Sequence, residues 1–182
     1  MRCPCCKNKS LSETELLPGL VAKTCDGCRG TWFERKDYES WRSRQSADLP
    51  ETAAPQTVFM SAQVPKPKLC PACRNFLLPY RVGHGLGFGI DYCAACGGIW
   101  CDPGEWEAIH AKNLHDNLHE IVSQQWQRDV RQENIRTQIE ESFRKSLGPD
   151  YQRAADVRNW LREHSNRDLL LSYLRDEATR KT

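Results

Sequence analysis

Eight of the ten cysteines fall into two copies of one spacing: Cys-x2-Cys, then 18 or 19 residues, then Cys-x2-Cys. The first set is Cys3, Cys6, Cys25 and Cys28; the second is Cys70, Cys73, Cys93 and Cys96. A Cys-x2-Cys turn presents two thiolates to one metal, and a hairpin of about 15 to 20 residues returns a second pair. Each set therefore predicts a tetrahedral four-thiolate site for one structural Zn(II), two in all. A disulfide framework would need an oxidising compartment, and with Cys3 only two residues after Met1 the expectation is that no signal peptide is present. A redox dithiol would need one Cys-x2-Cys pair in a thioredoxin-like βαβ setting, whereas here four pairs come in twos.

Each copy runs into a matching tail, CRGTWFERKDYESW from Cys28 and CGGIWCDPGEWEAI from Cys96. With these residues in view, both copies resemble the bacterial zinc ribbons of the transcription-factor-IIB type, in which Cys-Pro-x-Cys, a hairpin and Cys-x2-Cys-x-Gly-x-Trp lead into an acidic helix start. The second copy follows that pattern through Cys70-Pro71-Ala72-Cys73, Cys93 to Trp100, Asp102 and Glu105, with Cys101 where an aliphatic residue is expected. The first departs further. Its Cys3-Pro4-Cys5-Cys6 offers two candidates for the second ligand, and Glu34-Arg35-Lys36-Asp37 replaces Asp-Pro-Gly-Glu. The resemblance covers residues 1–41 and 70–109, and it implies a fold and a metal.

Other residues able to do chemistry are few. Aligning the copies sets Cys5 opposite Ala72, which favours Cys6 as the ligand and leaves Cys5 a spare or exchangeable thiol. The same alignment sets Cys101 opposite Phe33, a packing position, where a buried thiol behaves as a small apolar group. Trp32 and Trp100 are equivalent and are read as rings packed over each hairpin; base stacking would require them exposed. Gly83 to Gly89 carries neither the Gly-Lys-Ser/Thr of a P-loop nor a dinucleotide fingerprint, and suits a hairpin turn. His115 and His119, spaced i, i+4 in HDNLH, lack the Glu of a metalloprotease helix and a third ligand, so they read as a solvated or helix-packing pair. No nucleophile triad, paired-carboxylate pocket or nucleotide motif is present, and the expectation is a protein that is not an enzyme.

The elements that must position the cysteines are small. The chain has 182 residues, 39% hydrophobic and 27% charged, with a mean hydropathy of −0.70, which argues against one large core. The predicted class is small α+β: two four-cysteine zinc ribbons with β-hairpin knuckles, then an α-helical C-terminal region. The boundaries are ribbon one at 1–41, a Pro-rich linker at 42–68 with an apolar island Val58-Phe59-Met60, ribbon two at 69–109, a long amphipathic helix or helix pair at 110–148, and a helical hairpin at 149–182. Asp102 is read as a cap with Pro103 at the first helical position and Glu105 completing a capping box. Leu114, Leu118, Ile121, Ile135, Ile139, Phe143 and Leu147 map to one helical face, with Val122, Trp126 and Val130 on a neighbouring one, so a single straight helix would have a broken stripe. The segment reads as two helices meeting near Asn113 or Gln124 to Gln132, or as one long helix whose middle is exposed. Gly148-Pro149 is a stop signal, Asp150 a cap, and two short amphipathic helices follow.

The formal charge of +2 counts every cysteine as neutral. Two filled four-thiolate sites shift it to about −2, which is not the balance of a polyanion binder. Residues 103–182 hold 13 Lys and Arg against 14 Asp and Glu, a mixed surface suited to a protein partner or to self-association. The rival is nucleic-acid binding through Arg35, Lys36, Arg42 and Arg44, with Lys66 and Lys68 as a second basic flank. No apolar stretch approaches membrane-spanning length, and the expectation is a soluble, cytoplasmic, bacterial protein.

Overall fold

The computed structural model describes residues 1–45 and 66–179, side chains at 177–179 excepted. The apolar island Val58-Phe59-Met60 and most of the Pro-rich linker lie outside the described residues. In chain order the elements are β1 (Leu11–Leu17), β2 (Leu20–Cys25), β3 (Thr31–Phe33), α1 (Arg35–Arg42), β4 (Leu78–Gly83), β5 (Leu86–Tyr92), β6 (Ile99–Cys101), α2 (Glu105–Ala111), α3 (Leu118–Ile121), α4 (Gln124–Leu147), a 3-10 turn (Gly148–Asp150), α5 (Tyr151–Glu163) and α6 (Arg167–Thr179). The chain forms two compact units, Met1–Arg131 and Gln132–Thr182, so α4 contributes residues to both.

In the first unit each ribbon is a β-hairpin followed by a short third strand and a helix. β1 and β2 meet at Pro18-Gly19, where Gly19 has φ +75°, and β4 and β5 meet at His84-Gly85, with φ +53° and +78°. Two successive positive φ values match the strand twist of a two-residue hairpin, so the glycine-rich stretch makes a turn and not a phosphate cradle. The third strands then do what neither ribbon can do alone. β3 pairs antiparallel with β6 in the register Thr31↔Cys101, Trp32↔Trp100, Phe33↔Ile99. Because Trp32 and Trp100 are equivalent in the repeat, this register is that of a pseudo-two-fold axis passing between them. The product is a continuous six-stranded antiparallel sheet of order β1-β2-β3-β6-β5-β4.

Alternation along the central strands divides the core. Phe33, Ile99 and Cys101 face the side covered by α1, α2 and α3, packing with Leu20, Val82, Ile90, Tyr38, Trp106 and Ile109. Trp32 and Trp100 face the opposite side and pack among Cys3, Cys25, Cys70, Cys93 and Leu77. Tyr38 ties the helices together: its hydroxyl donates to the His115 carbonyl at 3.0 Å and accepts the Leu118 amide at 3.1 Å.

Of the alternatives for the region after Cys101, the structure takes the broken one rather than a single long helix. The helix breaks at Asn113, which has φ +54°, and again before α4, where Ser123 Oγ accepts the Trp126 amide at 3.2 Å. Leu114, Leu118 and Ile121 are therefore buried in the first unit, whereas Ile135, Ile139, Phe143 and Leu147 on α4 are exposed. The face carrying Trp126 and Val130 is the one that packs down. Trp126 Nε1 donates to the Val82 carbonyl at 2.8 Å, and Gln127 exchanges two bonds with the Arg81 backbone, covering the edge of β4. Asp102 also departs from its expected role. Glu105 accepts the Asp102 amide at 2.7 Å, the return half of a capping box, but α2 starts after Gly104 at φ +85° and the Asp102 side chain turns elsewhere.

In the second unit Gly148, at φ +50°, leads through the 3-10 turn into α5, and Asp150 makes no side-chain cap. Glu140 accepts both guanidinium bonds of Arg158, at 2.8 and 2.9 Å, together with the Tyr151 hydroxyl, and Arg144 lies over the Tyr151 ring. No helix among the described residues is long and apolar enough to cross a membrane.

Candidate metal centres

Four local backbone turns aim the sulfurs. After Cys3 and after Cys70 the chain folds back so that Lys7 and Arg74 donate to the cysteine carbonyls at 3.0 Å, and both adopt φ near +60°. After Cys25 and Cys93, Arg29 and Gly97 do the same at 2.8 Å, with φ +66° and +73°. Each Cys-x2-Cys pair is thus followed by one left-handed residue, which is Lys7, Arg29 or Arg74 in three of the four turns. At the fourth, Gly97, the Arg35 side chain of the other ribbon lies so close that a Cβ would come within 2.5 Å of Arg35 Cδ.

The sulfurs of Cys3, Cys6, Cys25 and Cys28 lie within 4.8 Å of one another, as do those of Cys70, Cys73, Cys93 and Cys96. Thiolates held about 2.3 Å from a tetrahedral Zn(II) stand about 3.8 Å apart. Sγ–Sγ separations of 3.6 and 3.9 Å occur in the first set and of 3.6 and 3.4 Å in the second. Both sites fit a structural zinc ion, whose chemistry is to hold four thiolates as one closed knot. Backbone amides of Cys6, Cys73 and Ala72 point at sulfurs at 3.3 to 3.4 Å, an arrangement that favours thiolate. Without metal the thiols share protons unevenly. The Asn75 side-chain amide draws Cys73 down to about 6, while burial holds Cys70 and Cys96 above the ordinary thiol value.

Cys5 lies outside the four-sulfur cluster. Its thiol donates to Asp102 Oδ1 of the second ribbon at 3.3 Å, which makes it a bridge between ribbons. Asp102 is a hub: it also accepts Trp100 Nε1 at 2.8 Å and Lys68 Nζ at 2.6 Å, and Lys68 reaches Asp91 at 2.6 Å as well. Lys68, read from sequence as a solvated basic flank, is instead only 11% exposed in its side chain and locked between two carboxylates. The equivalent of Asp102 in the first ribbon is Glu34, which turns to Lys23 and Lys36, and Trp32 Nε1 is left buried without a partner.

The tryptophans pack differently from the sequence reading. Each ring crosses to the other ribbon. A Cβ on Gly98 would lie 2.1 Å from Trp32 Cζ2, and one on Gly30 would lie 2.3 Å from Trp100 Cζ2. Both indoles are fully buried, so neither offers a stacking face. The repeated Gly-x-Trp after the last cysteine of each copy was the signal for this contact.

The remaining candidates are accounted for locally. Cys101 is fully buried in the helix-side core, where burial raises its thiol well above the ordinary value. His115 and His119 do not share a helical face, because His115 sits in the turn before α3. Its ring is buried against Trp41, Trp106 and His110, and His119 lies edge-on to Tyr38. Only the two cysteine sets form metal-competent groups among the described residues. Arg35 pairs with Glu39, Lys36 with Glu34 and Arg42 with Asp116, and Arg44 bonds the carbonyls of Ser40 and Gly19.

Comparison with known proteins adds one finding. Residues 2–44 and 69–112 each match the family model described as a transcription factor zinc-finger, the zinc ribbon of the transcription-factor-IIB type. No match was found among curated proteins or among solved structures. Spacing, sulfur geometry and family model agree: residues 2–44 and 69–112 are two tandem zinc ribbons of the transcription-factor-IIB type, followed by a helical region that no family model recognises.

Proposed function

We propose that this chain is a non-enzymatic adaptor in which two zinc-held ribbons form a rigid base and the C-terminal helices engage a protein. The observation that carries this reading is the apolar surface of the second unit. Phe143, Trp160, Leu169, Tyr173 and Leu174 are all at least half exposed, large apolar side chains that a protein partner would cover. The family description points to a transcriptional setting and hence to nucleic acid. Against direct nucleic-acid contact stand the pairing of Arg35, Lys36 and Arg42 with carboxylates and the shift of net charge to about −2 when both sites are filled. The absence of enzymatic activity is part of the same reading, supported by the burial of Cys101 and His115.

The test is recovery of tagged protein from its native lysate with and without nuclease, followed by mass spectrometry. A stoichiometric, nuclease-resistant protein partner supports the adaptor. Recovery that collapses on nuclease treatment, with affinity falling steeply in salt and lost when Arg35, Lys36, Arg42 and Arg44 become Ala, replaces it with a nucleic-acid module.

A further inference from the structure

The second unit contains a groove of about 670 Å³ between α5 and α6. Its floor is apolar: Ala154, Val157, Leu161 and Leu171. On α5 the floor residues recur at i, i+3 and i+7, the repeat that gives one continuous helical stripe. The rim is cationic, formed by Arg153, Arg158, Arg162 and Arg167, with the Asp150 carboxylate at the mouth. Residues 132–182 hold ten Lys and Arg against nine Asp and Glu, so the segment as a whole is nearly neutral. Four of those ten cations nevertheless surround one groove that has a single carboxylate. Arg158 is held by Glu140, whereas Arg153, Arg162 and Arg167 have no such partner among the described residues.

An apolar floor inside an arginine rim has a complement: an amphipathic helix with aliphatic side chains on one face and carboxylates flanking it. The aliphatic side chains would bury against Val157 and Leu161, and the carboxylates would meet guanidinium forks, which recognise them in paired, directional hydrogen bonds. A nucleic-acid backbone would satisfy the rim but gain nothing from the floor. We propose that the α5–α6 groove is the docking site for an acidic amphipathic helix of a protein partner. This rests on the adaptor reading and specifies the chemistry of what the adaptor holds.

The test uses the zinc-loaded full-length protein and two labelled helical peptides of about 14 residues, both with Leu at i, i+4, i+7 and i+11. In one the remaining exposed positions are mainly Glu, and in the other mainly Lys. Fluorescence anisotropy should show binding of the Glu peptide and little of the Lys peptide. Affinity should weaken as salt rises from about 0.05 to 0.5 M, and fall about tenfold or more in the R153E/R162E variant. Val157→Asp should cause a comparable loss by wetting the floor. Both substitutions are at exposed positions, and an unchanged circular dichroism spectrum shows that the helices are intact. Equal binding of the two peptides, no binding of the Glu peptide, or indifference to R153E/R162E overturns the proposal. Displacement of the Glu peptide by a single-stranded oligonucleotide, with no effect of Val157→Asp, reassigns the rim to phosphate. Nuclease-resistant capture of a lysate protein by the R153E/R162E variant at wild-type yield leaves the adaptor reading standing and removes the groove from it. Nuclease-sensitive capture removes both.

Discussion

Alanine at Gly98 tests whether the two ribbons are one structure. Its Cβ would lie 2.1 Å from Trp32 Cζ2 and 2.3 Å from Cη2, against an ordinary carbon–carbon contact of about 3.5 to 4.0 Å. The indole or the strand must therefore move by about 1.5 Å, and Trp32 is fully buried among packed neighbours. Gly98 does not have the left-handed φ that would itself oppose alanine, so the cost is steric. Overpacking of this kind destabilises by about 1–3 kcal/mol. Trp32→Phe removes the ring atoms that reach Gly98 and, as a large-to-small change, costs about 2 kcal/mol. In the double variant the new methyl occupies the vacated space, so the two changes should cost about 1–2 kcal/mol less together than their sum. The assay is urea unfolding followed by circular dichroism at fixed excess zinc, with zinc release read by a chromophoric chelator. Gly85→Ala is the control: nothing lies within 4 Å of its Cβ, so only its φ of +78° opposes alanine, at about 1–2 kcal/mol, and it should show no coupling to Trp32. Additivity of Gly98→Ala and Trp32→Phe to within about 0.5 kcal/mol would refute the cross-ribbon contact.

Further outcomes are expected. The purified protein should contain two zinc ions per chain by elemental analysis, and Cys25→Ser or Cys93→Ser should each remove one; chelation should collapse the β-sheet circular dichroism, because zinc supplies about 10–16 kcal/mol per site to ribbons with little core of their own. Lys68→Met should destabilise by about 3–5 kcal/mol in unfolding experiments, since Asp91 and Asp102 are left facing each other in a largely buried setting without their cation. Burial, followed by the Asp102 charge, raises Glu105 to about 8. A carboxyl whose folded pKa is raised binds its proton more tightly in the native state, so its contribution is complete below its unfolded value near 4.3 and is lost as pH climbs through 8. Glu105→Gln keeps an acceptor for the Asp102 amide and should gain stability relative to wild type across that window, by up to about 1.4 kcal/mol per pH unit; a flat difference would show that Glu105 is solvated.

The metal sites were legible because their information is local. A Cys-x2-Cys turn is set by a few adjacent residues, and counting to Cys25 and Cys93 needs only the length of a hairpin. What joins the ribbons was not legible in the same way. The β3–β6 register links residues some seventy positions apart, and Lys68 finds its carboxylates at Asp91 and Asp102, so a local reading placed it on a solvated flank. The discontinuous apolar stripe after Cys101 did signal a break near Asn113 or at residues 124–132, and the chain breaks at Asn113 and again just before Gln124. What the periodicity could not show is that Leu114, Leu118 and Ile121, ahead of α4, are buried while Ile135, Ile139, Phe143 and Leu147 along α4 are exposed. The duplicated Gly-x-Trp did carry the cross-ribbon contact, because a tryptophan too large for its own hairpin needs a residue without a Cβ in its neighbour.

The reciprocal seating of Trp32 on Gly98 and Trp100 on Gly30 makes each ribbon the missing half of the other. A single ribbon of this sequence, set free in solution, would leave a large indole wet and the central edge of its sheet unpaired, and would recover both only by finding a twin. Its folding would then follow mass action, rising and falling with the square of its concentration. Carrying both copies on one chain replaces that search with an effective concentration in the millimolar range for a short tether, so the pair assembles at any level of expression.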